Sequence, residues 1–132
     1  MAPMTVPGEH PRGRPPASVA ACLTAWRDGG APDRATTKAA VSAVTDELAT
    51  RAPGRSVELR VPPFAAVQIV AGTTHRRGTP PALVQVAPRD LLELAVGDLT
   101  WGDAVAAGRV RASGERSDLS GYLPLFAWES LG

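Results

Sequence analysis

His75, Arg76 and Arg77 follow Thr74 and precede the turn-forming run Gly78-Thr79-Pro80-Pro81. A guanidinium makes charge-assisted, bidentate hydrogen bonds to an anion, and loops between strands are where such groups gather. His75 and Arg77 are therefore candidates for holding an anionic headgroup, weighed against the ordinary role of a stiff, solvated connection. A third reading, an enzyme using the same two residues, has nothing further to recommend it. Asp90, Glu93, Asp98, Glu115 and Asp118 supply carboxylates, but no spacing pairs two of them as general acid and base. Asp103, fourth in Thr100-Trp101-Gly102-Asp103, reads as part of a capping-box variant. No serine sits in a nucleophile elbow, no glycine loop cradles phosphate and no histidine pair awaits a metal. The expectation is a non-catalytic protein, with no catalytic residue, no metal and no cofactor.

Composition narrows the partners. The net charge is +1 and the arginines are scattered, so nucleic acid has little electrostatic footing and is not expected as a partner. Arginine far exceeds lysine, represented only by Lys38, and alanine is abundant, as in a GC-rich bacterial genome. Cys22 is the single cysteine, which rules out an intramolecular disulfide and suits a reducing cytoplasm. It falls on an apolar helical face and reads as a small buried hydrophobe. No stretch has the length and hydropathy of a signal sequence or a membrane span, so a cytoplasmic protein without stable membrane insertion is expected.

A length of 132 residues suits one domain with a core of its own. Residues 1–16 are rich in proline and glycine and are expected to form a disordered arm, with a single domain over 17–125 and an apolar tail over 126–132. Within the domain, Val19, Cys22, Leu23 and Trp26 recur at helical spacing after Ser18, a plausible N-cap, and Gly29-Gly30 ends that helix. A longer helix is predicted from about Asp33 to Arg51, burying Val41, Val44 and Leu48 and turning Asp46, Glu47 and Arg51 outward.

The period then changes to two. Val57, Leu59 and Val61 should face the core and Glu58 and Arg60 water, followed by a turn at Pro62-Pro63 and a hairpin partner over 64–71. That second strand, FAAVQIVA, is apolar on both faces and is expected to be central or covered on both sides. A third strand is predicted over 82–87, with Pro88 opening the helix that carries Leu91 and Leu92. Gly97 is placed to stop that helix and Thr100 to cap the next, whose apolar face would be Trp101, Ala104 and Val105. A fourth strand follows over 109–113, then a last short helix capped by Ser117 and containing Leu119, Tyr122 and Leu123. The fold class is α+β, a mainly antiparallel sheet of four to five strands with helices packed on one face.

Asp90-Leu91-Leu92, Leu94-Ala95, Gly97, Leu99, Ala104, Gly108-Arg109-Val110 and Gly114 together resemble the ligand-binding domain of the sterol carrier protein family. Arg60-Val61-Pro62-Pro63, Ala66-Val67-Gln68, His75, Arg77-Gly78-Thr79-Pro80-Pro81, Trp101, Arg111-Ala112-Ser113-Gly114 and Ser117-Asp118-Leu119-Ser120 are similar to its actinobacterial branch. The likeness spans about residues 34–125. It implies a five-stranded sheet covered by helices, with an apolar cavity for a fatty acyl chain or similar lipid. The family name serves as a fold label, and sterol is not the expected ligand.

Candidates to line that cavity are Phe64, Val67, Ile69, Leu92, Trp101, Val105, Leu119 and Leu123, for each of which ordinary core packing is the competing role. The functional expectation is binding or transport of a lipid or other apolar small molecule without catalysis. The alternative is a stand-alone accessory or dimerisation module, with a homodimer or a separately encoded enzyme as partner and the sheet face or Phe126 and Trp128 as contact surface.

Overall fold

A computed structural model describes residues 13–72 and 81–128. The order is α1 (Ala17–Arg27), α2 (Arg34–Arg51), β1 (Val57–Val61), β2 (Ala65–Ile69), β3 (Ala82–Val86), α3 (Pro88–Val96), α4 (Trp101–Ala106) and β4 (Val110–Ser113). A single 3-10 turn, Ser120–Tyr122, follows. The fold is α+β, and its four strands lie in the order β2-β1-β3-β4. β1 and β2 form the antiparallel hairpin expected at Pro62-Pro63, pairing Val57 with Ile69 and Val61 with Ala65. β3 runs antiparallel to β4 but parallel to β1, so the sheet is mixed.

The predicted period-two face is realised. Val57, Leu59, Val61, Ile69, Val84, Val86 and Val110 are buried, while Arg60, Ala66, Gln68 and Arg111 are exposed on the opposite face. α2 contributes Ala40, Val41, Val44 and Leu48 to the same core, α1 contributes Val19, Cys22 and Leu23, and α3 contributes Leu91, Leu92, Leu94 and Ala95. Two polar side chains lie within it. Thr37 donates to the Asp33 carbonyl at 2.8 Å and Thr45 to that of Ser42 at 3.2 Å, so neither hydroxyl is left unpaired in the interior. Burial raises the Cys22 thiol above its usual range, an effect partly opposed by its hydrogen bond with Thr37, consistent with a packing role.

Several local expectations are corrected. β2 is an edge strand, with Ala66 and Gln68 exposed, because β3 takes the other side of β1 and alanines tolerate water without penalty. No fifth strand occurs among the described residues. α1 begins one residue before Ser18, with Pro16 at the N-cap position and no side-chain cap. The last predicted helix is replaced by the 3-10 turn: Ser117 Oγ donates to the Gly114 carbonyl at 2.9 Å and the Ser120 amide donates to Asp118 at 2.9 Å. These side-chain bonds compete with helical ones for the same backbone groups. Val105 is 45% exposed, so the apolar face of α4 reduces to buried Ala104 and half-buried Trp101.

Of the predicted N-caps Ser18, Thr100 and Ser117 only Thr100 holds, and Asp33, expected as the start of its helix, caps that helix. The Asp33 side chain accepts from the Thr36 amide at 2.7 Å, and Thr100 accepts from the Asp103 amide at 3.2 Å. Gly97 closes α3 in the left-handed region at φ 83°. Between α2 and β1, Gly54 lies so close to the Val70 backbone that a Cβ would meet the Val70 carbonyl oxygen at 2.2 Å. Val70 itself is left-handed at φ 70°, held by its amide donating to the Ala52 carbonyl at 2.7 Å and by Ser56, whose amide and hydroxyl both donate to its carbonyl. A β-branched residue adopts that backbone only where its surroundings impose it.

Gly97→Ala should lower stability by about 1–2 kcal/mol through backbone strain alone, since its Cβ meets only ordinary contacts at Pro124. Gly54→Ala should abolish the cooperative thermal transition. The Thr36 amide holds the Asp33 carboxyl below its usual range, so its contribution to stability is present above the unfolded value and lost as pH falls through the folded one. Asp33→Asn keeps an acceptor at the cap without the titration. Thermal melts from about pH 6 to about pH 2 should show a smaller acid loss for it than for the natural chain.

Candidate functional site

The carbonyl of Ala95 is an unpaired acceptor in the last turn of α3, as the final carbonyls of any helix are. The chain after the 3-10 turn satisfies it: the amides of Leu125 and Phe126 donate to it at 2.8 and 3.1 Å. Leu125 is fully buried and Phe126 nearly so. Arg51, expected to turn outward, instead has its side chain largely buried, donating to the Leu125 carbonyl at 3.0 Å and to Glu47 at 2.7 Å. The Leu125 peptide is thus held from both sides. Beyond it, the Ala127 amide donates to the Gly13 carbonyl at 2.9 Å, which joins the segment before α1 to the segment after the 3-10 turn.

These contacts frame an open groove of about 870 Å³, lined among others by Arg14, Ala20, Val96, Pro124, Phe126 and Trp128. Its volume lies within the range of about 300–1,000 Å³ common for small-molecule sites. Its lining is mostly apolar, with the Arg14 guanidinium as its charged member. Trp128 is held by Arg27, whose guanidinium lies 5.4 Å from the ring centroid and is itself anchored by Asp98. The Trp128 indole N–H is buried without an acceptor among the described residues. Native proteins leave few such donors unpaired.

The eight residues predicted to line a cavity are distributed differently. Ile69, Leu92 and Leu119 are buried in the common core. Phe64, Val67, Trp101 and Leu123 are half-buried against it, Phe64 lying under the Arg34 guanidinium at 5.2 Å, and Val105 is exposed. None of the eight lines the groove. His75 and Arg77, like Arg76 and His10, lie outside the described residues. Among the described residues no cluster of three His, Cys, Asp or Glu side chains could hold a metal ion, and no helix is long and apolar enough to cross a membrane.

The groove went unforeseen because its parts are far apart in sequence and individually ordinary. The available signal was the apolar run Leu125-Phe126-Ala127-Trp128.

Residues 33–125 match the family described as bacterial SCP ortholog. The match covers well over half of the chain, which therefore belongs to that family of sterol-carrier-type domains. A search of curated proteins finds no match. The matched region holds the sheet and α2 to α4, whereas α1, Arg14, Phe126 and Trp128 lie outside it. The groove thus combines residues inside the matched region, Val96 and Pro124, with residues outside it.

Removing the Arg51 clamp tests this construction. Arg51→Ala should cost about 1.5–3 kcal/mol, the usual worth of hydrogen bonds to a charged group. Hydrogen exchange should show the amides of Leu125 and Phe126 losing protection while those of β1 and β3 keep theirs.

Proposed function

We propose that the protein binds a lipid or other apolar small molecule, without catalysis, in the groove between α1, the end of α3 and the 124–128 segment. Family membership supports apolar-ligand binding in general, and the single observation that carries the location is the apolar groove of about 870 Å³. Burying about ten methylenes at ~0.8 kcal/mol each yields roughly 8 kcal/mol before the costs of association, which sets micromolar affinity as the ceiling. Trp128 contributes an apolar ring to the wall of the groove. On this reading Phe64, Val67, Ile69, Leu92, Trp101, Val105, Leu119 and Leu123 support the fold or lie apart from the ligand.

The accessory or dimerisation module is the second reading. It is favoured by the sheet face bearing Arg60, Gln68 and Arg111, which is exposed across three strands. A concentration-dependent dimer in sedimentation would support it, and a clean monomer at high concentration together with no protein recovered in pull-downs would count against it.

A fluorescent fatty-acid probe distinguishes the first reading. The natural chain should bind with micromolar Kd. Ala20→Trp, which fills the groove from α1, should weaken binding at least tenfold, while Val105→Glu on the exposed side of α4 should leave it unchanged. Equal binding by Ala20→Trp, or no binding by the natural chain together with no co-purifying ligand in native mass spectrometry, would remove the groove as the site.

A further inference from the structure

The exposed face of the sheet carries a second, polar site. Alternation turns Val84, Val86 and Val110 inward, so Gln85 and Arg111 point to the opposite face, and the strand register sets Arg60, Gln85 and Arg111 side by side across β1, β3 and β4. Arg109, two residues before Arg111, joins them at the rim of a pocket of about 350 Å³ whose walls include Pro62, Gln85, Gly108, Arg109 and Arg111.

The arginines in and beside this pocket are unevenly paired. Arg60 is occupied by Glu58, at 2.8 Å. Arg109 forms an ion pair with Asp90 at 3.7 Å, longer than a hydrogen bond. Arg111 has neither hydrogen bond nor ion pair among the described residues. Arg111 is thus the unpaired cation of the pocket among the described residues, and an anion beside it can accept from both Arg111 and Arg109.

We infer that Gln85, Arg109 and Arg111 form a binding site for a phosphoryl group carried by a small molecule or a headgroup. Each guanidinium offers five N–H donors in a planar fork and Gln85 adds an amide. That supply exceeds what the two oxygens of a carboxylate can accept and suits the three terminal oxygens of a phosphomonoester. The apolar wall at Pro62 and the open space above Gly108 leave room for an organic body attached to the phosphoryl group. The site is independent of the groove. The two lie at opposite ends of α3, a helix of nine residues and so about 13 Å long, with Ala87 at one end and Val96 at the other.

Amide NMR of the full chain, titrated at constant ionic strength with inorganic phosphate and with glycerol phosphate, tests the site. Saturable shifts centred on Gln85, Gly108 and Arg111 are expected, with affinity reduced at least tenfold in Arg111→Gln and in Arg109→Gln and unchanged in Arg14→Gln. Co-sedimentation with phosphatidylcholine vesicles, with and without phosphatidic acid, separates the sources. Arg111-dependent capture by the acidic vesicles assigns a headgroup, and binding of glycerol phosphate without capture assigns a soluble phosphomonoester. The site is overturned if every phosphate probe gives no saturable shift, if chloride reproduces the shifts, or if they persist in Arg111→Gln and Arg109→Gln. None of these outcomes touches fatty-acid binding or its loss in Ala20→Trp, so the two sites stand or fall separately.

Discussion

Val57, Leu59 and Val61 are valuable to the domain only if something apolar covers them, and they share one core with the apolar faces of α1, α2 and α3. α2 packs on α1, α3 and β2 at once, which makes its Val41, Val44 and Leu48 face the joint between the helical layer and the sheet. Burying that face settles which side of every strand is polar. It leaves Arg60, Gln85 and Arg111 together on the other side, and it leaves α3 lying across the domain with its ends at two different recesses. Burial of apolar area is non-directional, so it selects the face and leaves the directional details to hydrogen bonds.

Those details matter most at the Leu125 peptide. The Ala95 carbonyl and the Arg51 guanidinium hold it from opposite sides, and both depend on α2 and α3 already being in place. The groove is a consequence of that capture, since Pro124, Phe126 and Trp128 form its wall only when the peptide between them is docked. This arrangement places the candidate apolar site at the margin of the family core, against residues contributed by α1 and the chain segments outside the match. The polar pocket, by contrast, lies within the matched region and uses only sheet and loop residues.

Much of the fold was legible one element at a time. The alternation at Val57–Val61, the left-handed stop at Gly97 and the cap at Thr100 are all local, acting over a turn or a few residues, and each appears as read. Reading failed where a local pattern had two outcomes. FAAVQIVA counted as apolar on both faces because alanine scores as apolar, though Ala66 sits in water at an edge without cost. Ser117 and Asp118 looked like a helix start, but their side chains close turns instead. Arg51 looked like a solvent-facing charge because its bond to the Leu125 carbonyl spans 74 positions of chain.

The candidate sites divide along the same line. The type of each element, its inward face and the anion-binding character of individual arginines follow from residue identity and spacing, because rotamers, caps and periodicity are properties of short stretches. The parallel pairing of β1 with β3, the edge position of β2, the row Arg60-Gln85-Arg111 and the meeting of Gly13 with Ala127 belong to the tertiary structure alone. Each is set by which distant surfaces are left to bury after the local elements have formed, and no short stretch of sequence carries that information.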